Sequence, residues 1–403
     1  MLKEFLIYQN NELVFLSDSS SISLTHLVKN YQGPMFFYNR DFIRMRTRQM
    51  QTALKNVKLF YALKANAHPQ VLSVFKDENV GVDVVSGGEI EHAVQCGFSY
   101  QSLVYSGVGK TKAELELAIQ NEIYQINVES IPELYRIGEV AKKLGKKANV
   151  AFRVNPDISI QSHPYIATGL KDNKFGIDTN QFAEVMRVAQ ENAAHLSVKG
   201  ISLHLGSQML DFSSLKDSLA KLKPLFLDLR KIFPECHRFD FGGGLGIFYE
   251  KQDLEMENRL LNEYAATMFS EMNALKALVP DLELQSEPGR WLVGHAGVLL
   301  AQVQYVKVTP YKEFLILDSG MNHLIRPSLY EAYHGVHKLS ANGVEKTYDV
   351  VGPICESADF LGKNRVLPEM KQDDFVVIRD CGAYAASMAS DYNLQRRAFE
   401  VSN

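Results

Sequence analysis

The sequence predicts an N-terminal (β/α)8 TIM-like barrel followed by a C-terminal all-β domain, with strands from the N-terminal residues joining the latter. Three observations carry this expectation. From about residue 57 to residue 290, eight short β-rich runs alternate with longer stretches of helical pattern, as parallel βα units require. Each run ends in polar or glycine residues, which is where a barrel builds its active site. After Arg290 the texture changes to strands separated by turns, with hardly any helix between them.

Taken in order, residues 1–30 read as short strands around a Ser-rich turn, SDSSSIS, and are expected to pair into the β domain. The barrel is assigned to residues 31–290. Its strands are VKLFYALKAN (57–66), VGVDVVSGGE (80–89), LVYSGV (103–108), IYQINVES (123–130), NVAFRVNP (149–156), VKGISLHLGS (198–207), FDFGGGLG (239–246) and LELQSEPGR (282–290). Helical segments such as ELELAIQ and IPELYRIGEVAKKLG separate them. A doubly wound open sheet would usually show fewer strands and an early glycine fingerprint, whereas the glycines here come late. Residues 291–403, with VLLAQVQYVKV, FLILDSG, YDVVGP and DDFVVIRDCGAY, form the β domain, a sandwich or small barrel.

Composition narrows the function. The 43 basic and 47 acidic residues of this 403-residue chain nearly balance, and no basic tract suggests a nucleic-acid partner. No window is apolar for long enough to span a bilayer, so a cytoplasmic protein is expected. Cys96, Cys236, Cys355 and Cys381 form no CxxC pair, which argues against a zinc ribbon or disulfide scaffold, and no metal is expected.

The strand ends carry the chemistry. Lys64 closes the apolar run FYALKAN, and period-two alternation puts it on the buried face with Phe60 and Ala62. A strand-end lysine that reaches solvent is the commoner case. Here its company changes the reading. Strand 2 carries Asp83 and Ser86 to Glu89, strand 5 Arg153 and Asn155, strand 6 His204 and Ser207, strand 7 Gly242 to Gly244, and strand 8 Glu287 to Arg290. Glycines after strands 7 and 8 occupy the positions where barrels often bind phosphate. An inward lysine facing a phosphate, an imidazole and a carboxylate suggest pyridoxal 5'-phosphate: Lys64 would form the Schiff base, His204 would stack on the ring, and Glu287 would pair with its nitrogen.

These residues sit in motifs similar to those of a known family. YALKAN (61–66), HPYIATGLKDNKFGI (163–177), HLGSQ (204–208), GGGLG (242–246), EPGR (287–290), IRPSLYEAYH (325–334), VGPICESADF (351–360) and GAY (382–384) together resemble the diaminopimelate decarboxylases, pyridoxal-phosphate enzymes of the alanine-racemase and ornithine-decarboxylase fold type. The resemblance implies that Lys64, Asp83, His204 and Glu287 hold the cofactor ring, and that Ser207, Gly243, Gly244, Gly289, Arg290 and Tyr384 surround its phosphate. It also implies a homodimer with shared active sites, in which Cys355 and Glu356 reach the partner's site and Cys355 reprotonates the carbanion. Arg290, Arg326 and Tyr330 would bind the distal carboxylate of an amino-acid substrate and Glu356 its distal ammonium, and Tyr384 would also contact the substrate. The expected reaction is decarboxylation of meso-2,6-diaminopimelate at its D-centre to L-lysine and CO2, the last step of lysine biosynthesis. Decarboxylases of ornithine, carboxynorspermidine or a carrier-bound substrate, a catalytically silent regulatory homologue and a racemase are the rivals. Ornithine and lysine decarboxylases typically have Asp after the cysteine where this chain has Glu356. Family members usually continue beyond the segment matching RRAFEV, whereas this chain stops at Asn403.

Overall fold

A computed structural model describes residues 2–158 and 173–403. Eight parallel strands, Val57–Ala62, Gly81–Val84, Leu103–Tyr105, Gln125–Val128, Ala148–Asn155, Leu196–Ser202, Arg238–Asp240 and Glu283–Ser286, pair in sequence order, and the last returns to the first. The barrel is closed, so it has no exposed sheet edge. Every strand overlaps one of the eight runs read from the sequence, although those beginning at Ala148, Leu196 and Arg238 start one or two residues before their runs. Each strand ends before its run does, because the polar ends lie beyond the strands in the loops of the C-terminal mouth.

Local chemistry turns the chain from strand to helix at once. Ser86 accepts a hydrogen bond from the Glu89 amide at the start of helix Gly87–Gln95, Ser130 does the same for helix Ile131–Leu144, and Thr111 with Glu114 forms a complete capping box before helix Lys112–Gln120. Each cap satisfies amides that a helix start leaves without partners. The caps therefore fix where the mouth loops end.

The first strand differs from its expected form. It stops at Ala62, and Leu63–Ala65 is a single 3-10 turn. Strand alternation therefore does not aim Lys64; the turn does. The N-terminal residues differ as well. Strands Leu6–Gln9, Glu12–Leu16 and Ser21–Ser23 make a three-stranded antiparallel sheet of their own, which meets the β domain through an isolated bridge, Glu12 to Ser340, and hydrogen bonds such as that from the Tyr8 hydroxyl to Lys338 O, without joining its sheet. The strand that enters the β-domain sheet is Met35–Tyr38, which lies inside the span read as barrel. It pairs antiparallel with Gly297–Val308 and parallel with Phe399–Ser402. All four of its side chains are buried, so MFFY lacks the alternation that marks a half-exposed strand. The rest of the β domain is built from Glu313–Leu317, Val336–Lys338, Glu345–Val351, Phe360–Pro368 and Phe375–Ile378. Among the described residues no helix is long and apolar enough to cross a membrane.

A buried ladder of charges ties the two units together. Arg46, on helix Arg40–Ala53, lies 3.5 Å from the Trp291 ring centroid and donates to Glu257 at 2.6 Å on helix Leu254–Leu278. His295 meets Glu257 through Nε2 and Asp380 through Nδ1, both at 2.6 Å, and Asp380 accepts from Arg379 at 2.5 Å. With a carboxylate on each ring nitrogen, His295 needs both protons. Burial alone would discharge it, but Glu257 and Asp380 outweigh burial and raise its pKa to about 9. Glu257 is also desolvated, yet His295 and Arg46 hold it down to about 2.

A histidine whose folded pKa lies above the unfolded value stabilises the fold below about pH 6.5, and that contribution is lost as pH rises through about 9. Its size is on the order of 3 kcal/mol. We expect the thermal midpoint of the wild type to fall between pH 6.5 and 9, and a His295→Asn variant to be less stable at pH 6 and to lack that decline. Parallel melting curves across this range check both statements.

Candidate active site

The mouth of the barrel holds a cavity of about 400 Å³ lined by Lys64, Asn127, Arg153, Ser202, His204 and Glu287 among others. Lys64 Nζ forms an ion pair with Asp83, whose carboxylate is buried at the end of the second strand. The charge left unexplained by the apolar run around Lys64 is answered by this pair. Burial works against the ammonium, but Asp83, followed by Tyr384 and Glu287, overrides it and lifts its pKa above the ordinary lysine value. About 31% of the lysine side chain remains accessible.

Glu287 follows the last strand, its amide donating to Gly242 O at 2.7 Å and its Oε1 accepting from Asn127 at 3.1 Å. Burial, then the carboxylates of Asp240 and Asp83, push its pKa far above the usual carboxylate range. Asp240, equally buried, rises to about 7. Two adjacent desolvated carboxyls cannot both ionise, so a proton resides at Glu287. His204 Nδ1 accepts from the Gly243 amide at 3.2 Å, and burial, then the cations Arg153 and Lys64, press its pKa down, so it is a neutral ring.

Backbone approach in the loop after strand 7 is close enough to demand glycine. A Cβ at Gly243 would stand 2.2 Å from Glu287 O, and Gly244 has a φ of +115° with Gly206 O 2.6 Å from where its Cβ would be. Arg290 donates to Ser207 Oγ through Nε at 3.2 Å and Nη2 at 3.0 Å, and through Nη1 to Tyr249. Tyr384 is held in the left-handed region at φ +57° while its amide donates to Ala65 O at 2.8 Å. This strained aromatic sets its ring 4.8 Å from the Arg290 guanidinium, and its hydroxyl lies 3.5 Å from where a Cβ on Gly289 would be. Arg326 is buried with Tyr249 and Tyr330 rings 5.3 and 5.7 Å from its guanidinium carbon. Among the described residues neither Arg290 nor Arg326 has a carboxylate within 4 Å.

Cys355 and Glu356 are not brought to this cavity within one chain. Both are exposed on a loop of the β domain that is nevertheless firmly built: Asp359 accepts from the Ile354 and Met321 amides, each at 2.6 Å, and the Cys355 amide donates to Asn393 at 2.8 Å. The motif HPYIATGLKDNKFGI lies outside the described residues as far as Asp172. Of its remainder, Phe175 lines the cavity 4.8 Å from the Arg153 guanidinium, and the Gly176 amide donates to Glu129 at 2.9 Å.

Sequence reasoning passed over Asn127, Glu129, Asp240 and Tyr249. Asp240 had a usable signal: in FDFG it interrupts an apolar run as Lys64 does, and alternation places it on the face of Gly242. Glu129 accepts from Gly107 N, Arg153 and Gly176 N, a role only tertiary structure reveals.

The resemblance implies pyridoxal 5'-phosphate, and these residues fit it. A protonated carboxyl suits a pyridine nitrogen, a neutral imidazole ring suits stacking, and Asp83 Oδ1 is buried with no partner beside the lysine. A family model described as the pyridoxal-binding domain of pyridoxal-dependent decarboxylases matches residues 40–294. The chain is 40% identical over 377 residues to the diaminopimelate decarboxylase of Campylobacter jejuni, covering 93% of this chain and 92% of that one. Diaminopimelate decarboxylase from Helicobacter pylori, solved with L-lysine, superposes with a TM-score of 0.86 at 36% identity, covering 94% and 93% of the two chains. The enzyme from M. jannaschii, also solved with L-lysine, gives 0.90 at 32% identity over 100% and 93%. By sequence over nearly its whole length and by fold, the chain belongs to the diaminopimelate decarboxylase family of pyridoxal-dependent decarboxylases.

Proposed function

We propose that this enzyme decarboxylates meso-2,6-diaminopimelate at its D-centre to L-lysine and CO2, the last step of lysine biosynthesis, in the cytoplasm and as a homodimer. The observation that carries the substrate choice is the pair Arg290 and Arg326, each largely buried and without a carboxylate partner, converging on Tyr249 beside the cavity. Buried guanidiniums are costly unless they meet an anion, and their planar forks match a carboxylate. A diamine-forming decarboxylase has no distal carboxylate to place there.

Pyridoxal 5'-phosphate, when bound, supplies the electron sink for the pair left on carbon as CO2 departs. Lys64 is the amine that would hold its aldehyde carbon, and Asp83 keeps that amine in place. Glu287 keeps a proton where the ring nitrogen would lie, and Asp240 helps it do so. His204 offers its neutral face, while Ser207, Gly243, Gly244, Gly289 and Tyr384 would surround the phosphate. Arg290, Arg326, Tyr330 and Tyr384 bind the distal carboxylate and exclude water from it.

Cys355 and Glu356 act from the second subunit. Their exposure on a braced loop supports this: it presents a thiol and a carboxylate outward in a fixed shape. Cys355 returns a proton to the product carbon and Glu356 accepts the distal ammonium.

An Arg326→Ala enzyme is expected to show a KM for meso-diaminopimelate raised by roughly 10- to 150-fold, the worth of a charged hydrogen bond, with kcat little changed. Steady-state CO2 release measures this; an unchanged KM overturns the clamp. Lys64→Ala and Cys355→Ala enzymes are each expected to be inactive. Mixed after dissociation and reassembly, they should recover about a quarter of wild-type activity, because half the dimers then carry one intact site. No recovery would contradict sites shared between subunits.

A further inference from the structure

A second cavity, of about 510 Å³, lies at the seam between residues 250–252 after the seventh barrel strand and the β domain. Lys251, His337, Arg365 and Arg379 line it, and Glu4 and Glu250 stand at exposed positions on its rim. Arg365 packs on Tyr333, its guanidinium carbon 3.9 Å from the ring centroid, and its Nε, lying against Gly362, is buried with no hydrogen-bond partner. His337 Nε2 is buried without a partner as well. Among the described residues no carboxylate lies within 4 Å of Arg365 or Lys251, the rim glutamates included.

Ion pairing is incomplete here. Arg379 has one carboxylate, Asp380, and Asp380 is shared with the His295 cation. Along the ladder Arg46, His295 and Arg379 lie within ion-pair distance of Glu257 or Asp380, whereas among the described residues Arg365 and Lys251 have no carboxylate that close, Glu4 and Glu250 of the same cavity included. Arg365, half-buried and without a carboxylate partner, offers the cavity the charge and planar donors that suit an oxyanion.

We propose that this cavity binds a small oxyanion, a carboxylate or a phosphate, and that its occupancy tunes the affinity for the amino-acid substrate. Arg379 connects the cavity to both arms of the clamp. Its Nη2 donates to Tyr249 O at 2.5 Å, and Tyr249 OH accepts from Arg290. Its carbonyl accepts from His334 Nδ1 at 3.0 Å, and His334 Nε2 accepts from Arg326 at 3.4 Å. An anion that draws Arg379 toward Arg365 pulls on each of these contacts. The coupling rests on the reading of Arg290 and Arg326 as the substrate clamp, whereas the binding does not.

The test is calorimetric titration of the pyridoxal-phosphate-loaded enzyme with inorganic phosphate and, separately, with acetate. Saturable binding of at least one is expected, weakened about tenfold in Arg365→Met, which keeps the contact with Tyr333 but removes the charge. Lys251→Ala, at an exposed rim position, should weaken it by about threefold without endangering the fold. Phosphate binding with acetate silent identifies the ligand as a phosphate, and the reverse as a carboxylate. Absence of binding by both, or binding unchanged in Arg365→Met and Lys251→Ala, overturns the site. Binding lost in Arg326→Ala but kept in Arg365→Met puts the anion at the substrate clamp and also overturns it. At saturating anion the KM for meso-diaminopimelate should shift by about threefold or more in the wild type and not in Arg365→Met; a constant wild-type KM overturns the coupling. If the clamp reading itself is wrong, Arg326→Ala leaves the substrate KM unchanged while the anion titration is unaffected.

Discussion

Three carboxyl groups, Asp83, Asp240 and Glu287, are buried in the barrel mouth around the ammonium of Lys64. That excess of acid in a low-dielectric space is the constraint from which the rest of the site follows. Asp83 meets Lys64 directly in an ion pair. Glu287, farther from the ammonium and crowded by Asp240 and Asp83, takes up a proton instead. Burial first, and then the cations Arg153 and Lys64, strip His204 of its proton. Acid, base and neutral ring are therefore assigned by mutual repulsion and burial rather than by side-chain type.

The barrel was legible because its physics is local. Strands buried on both faces read as apolar runs, and the residues just past them can be polar only because the mouth is where they gather. Lys64, His204, Glu287 and the glycines after strand 7 stood out for that reason; the structure gathers the first three around one cavity and sets the Gly243 amide against His204. Aim was less legible than membership. Alternation predicted that Lys64 points inward, whereas the strand has already ended and a 3-10 turn does the aiming.

What escaped a reading of the sequence is long-range. Arg46, Glu257, His295 and Asp380 are scattered over most of the chain, and each alone looks like an ordinary surface residue of a helix or loop. Their meaning appears only when all four are buried together. Asp240 is the exception, a site residue with a local signal that alternation would have revealed. The exposure of Cys355 in a single chain is equally invisible from composition, since a free cysteine is more often buried.

Met35–Tyr38 carries a consequence for how the chain comes to be folded. Four consecutive buried side chains form this strand, and both its sheet neighbours, in Gly297–Val308 and Phe399–Ser402, are made only after the entire barrel. During synthesis a fully apolar segment thus stays unpaired while eight βα units emerge and close beside it. The β-domain sheet cannot be completed from one end of the chain to the other; it must be sewn shut across a finished barrel. Such late, distant pairing is slow and leaves a sticky strand in view of other chains, so this chain, as it grows, is most vulnerable to aggregation just before its last hundred residues appear.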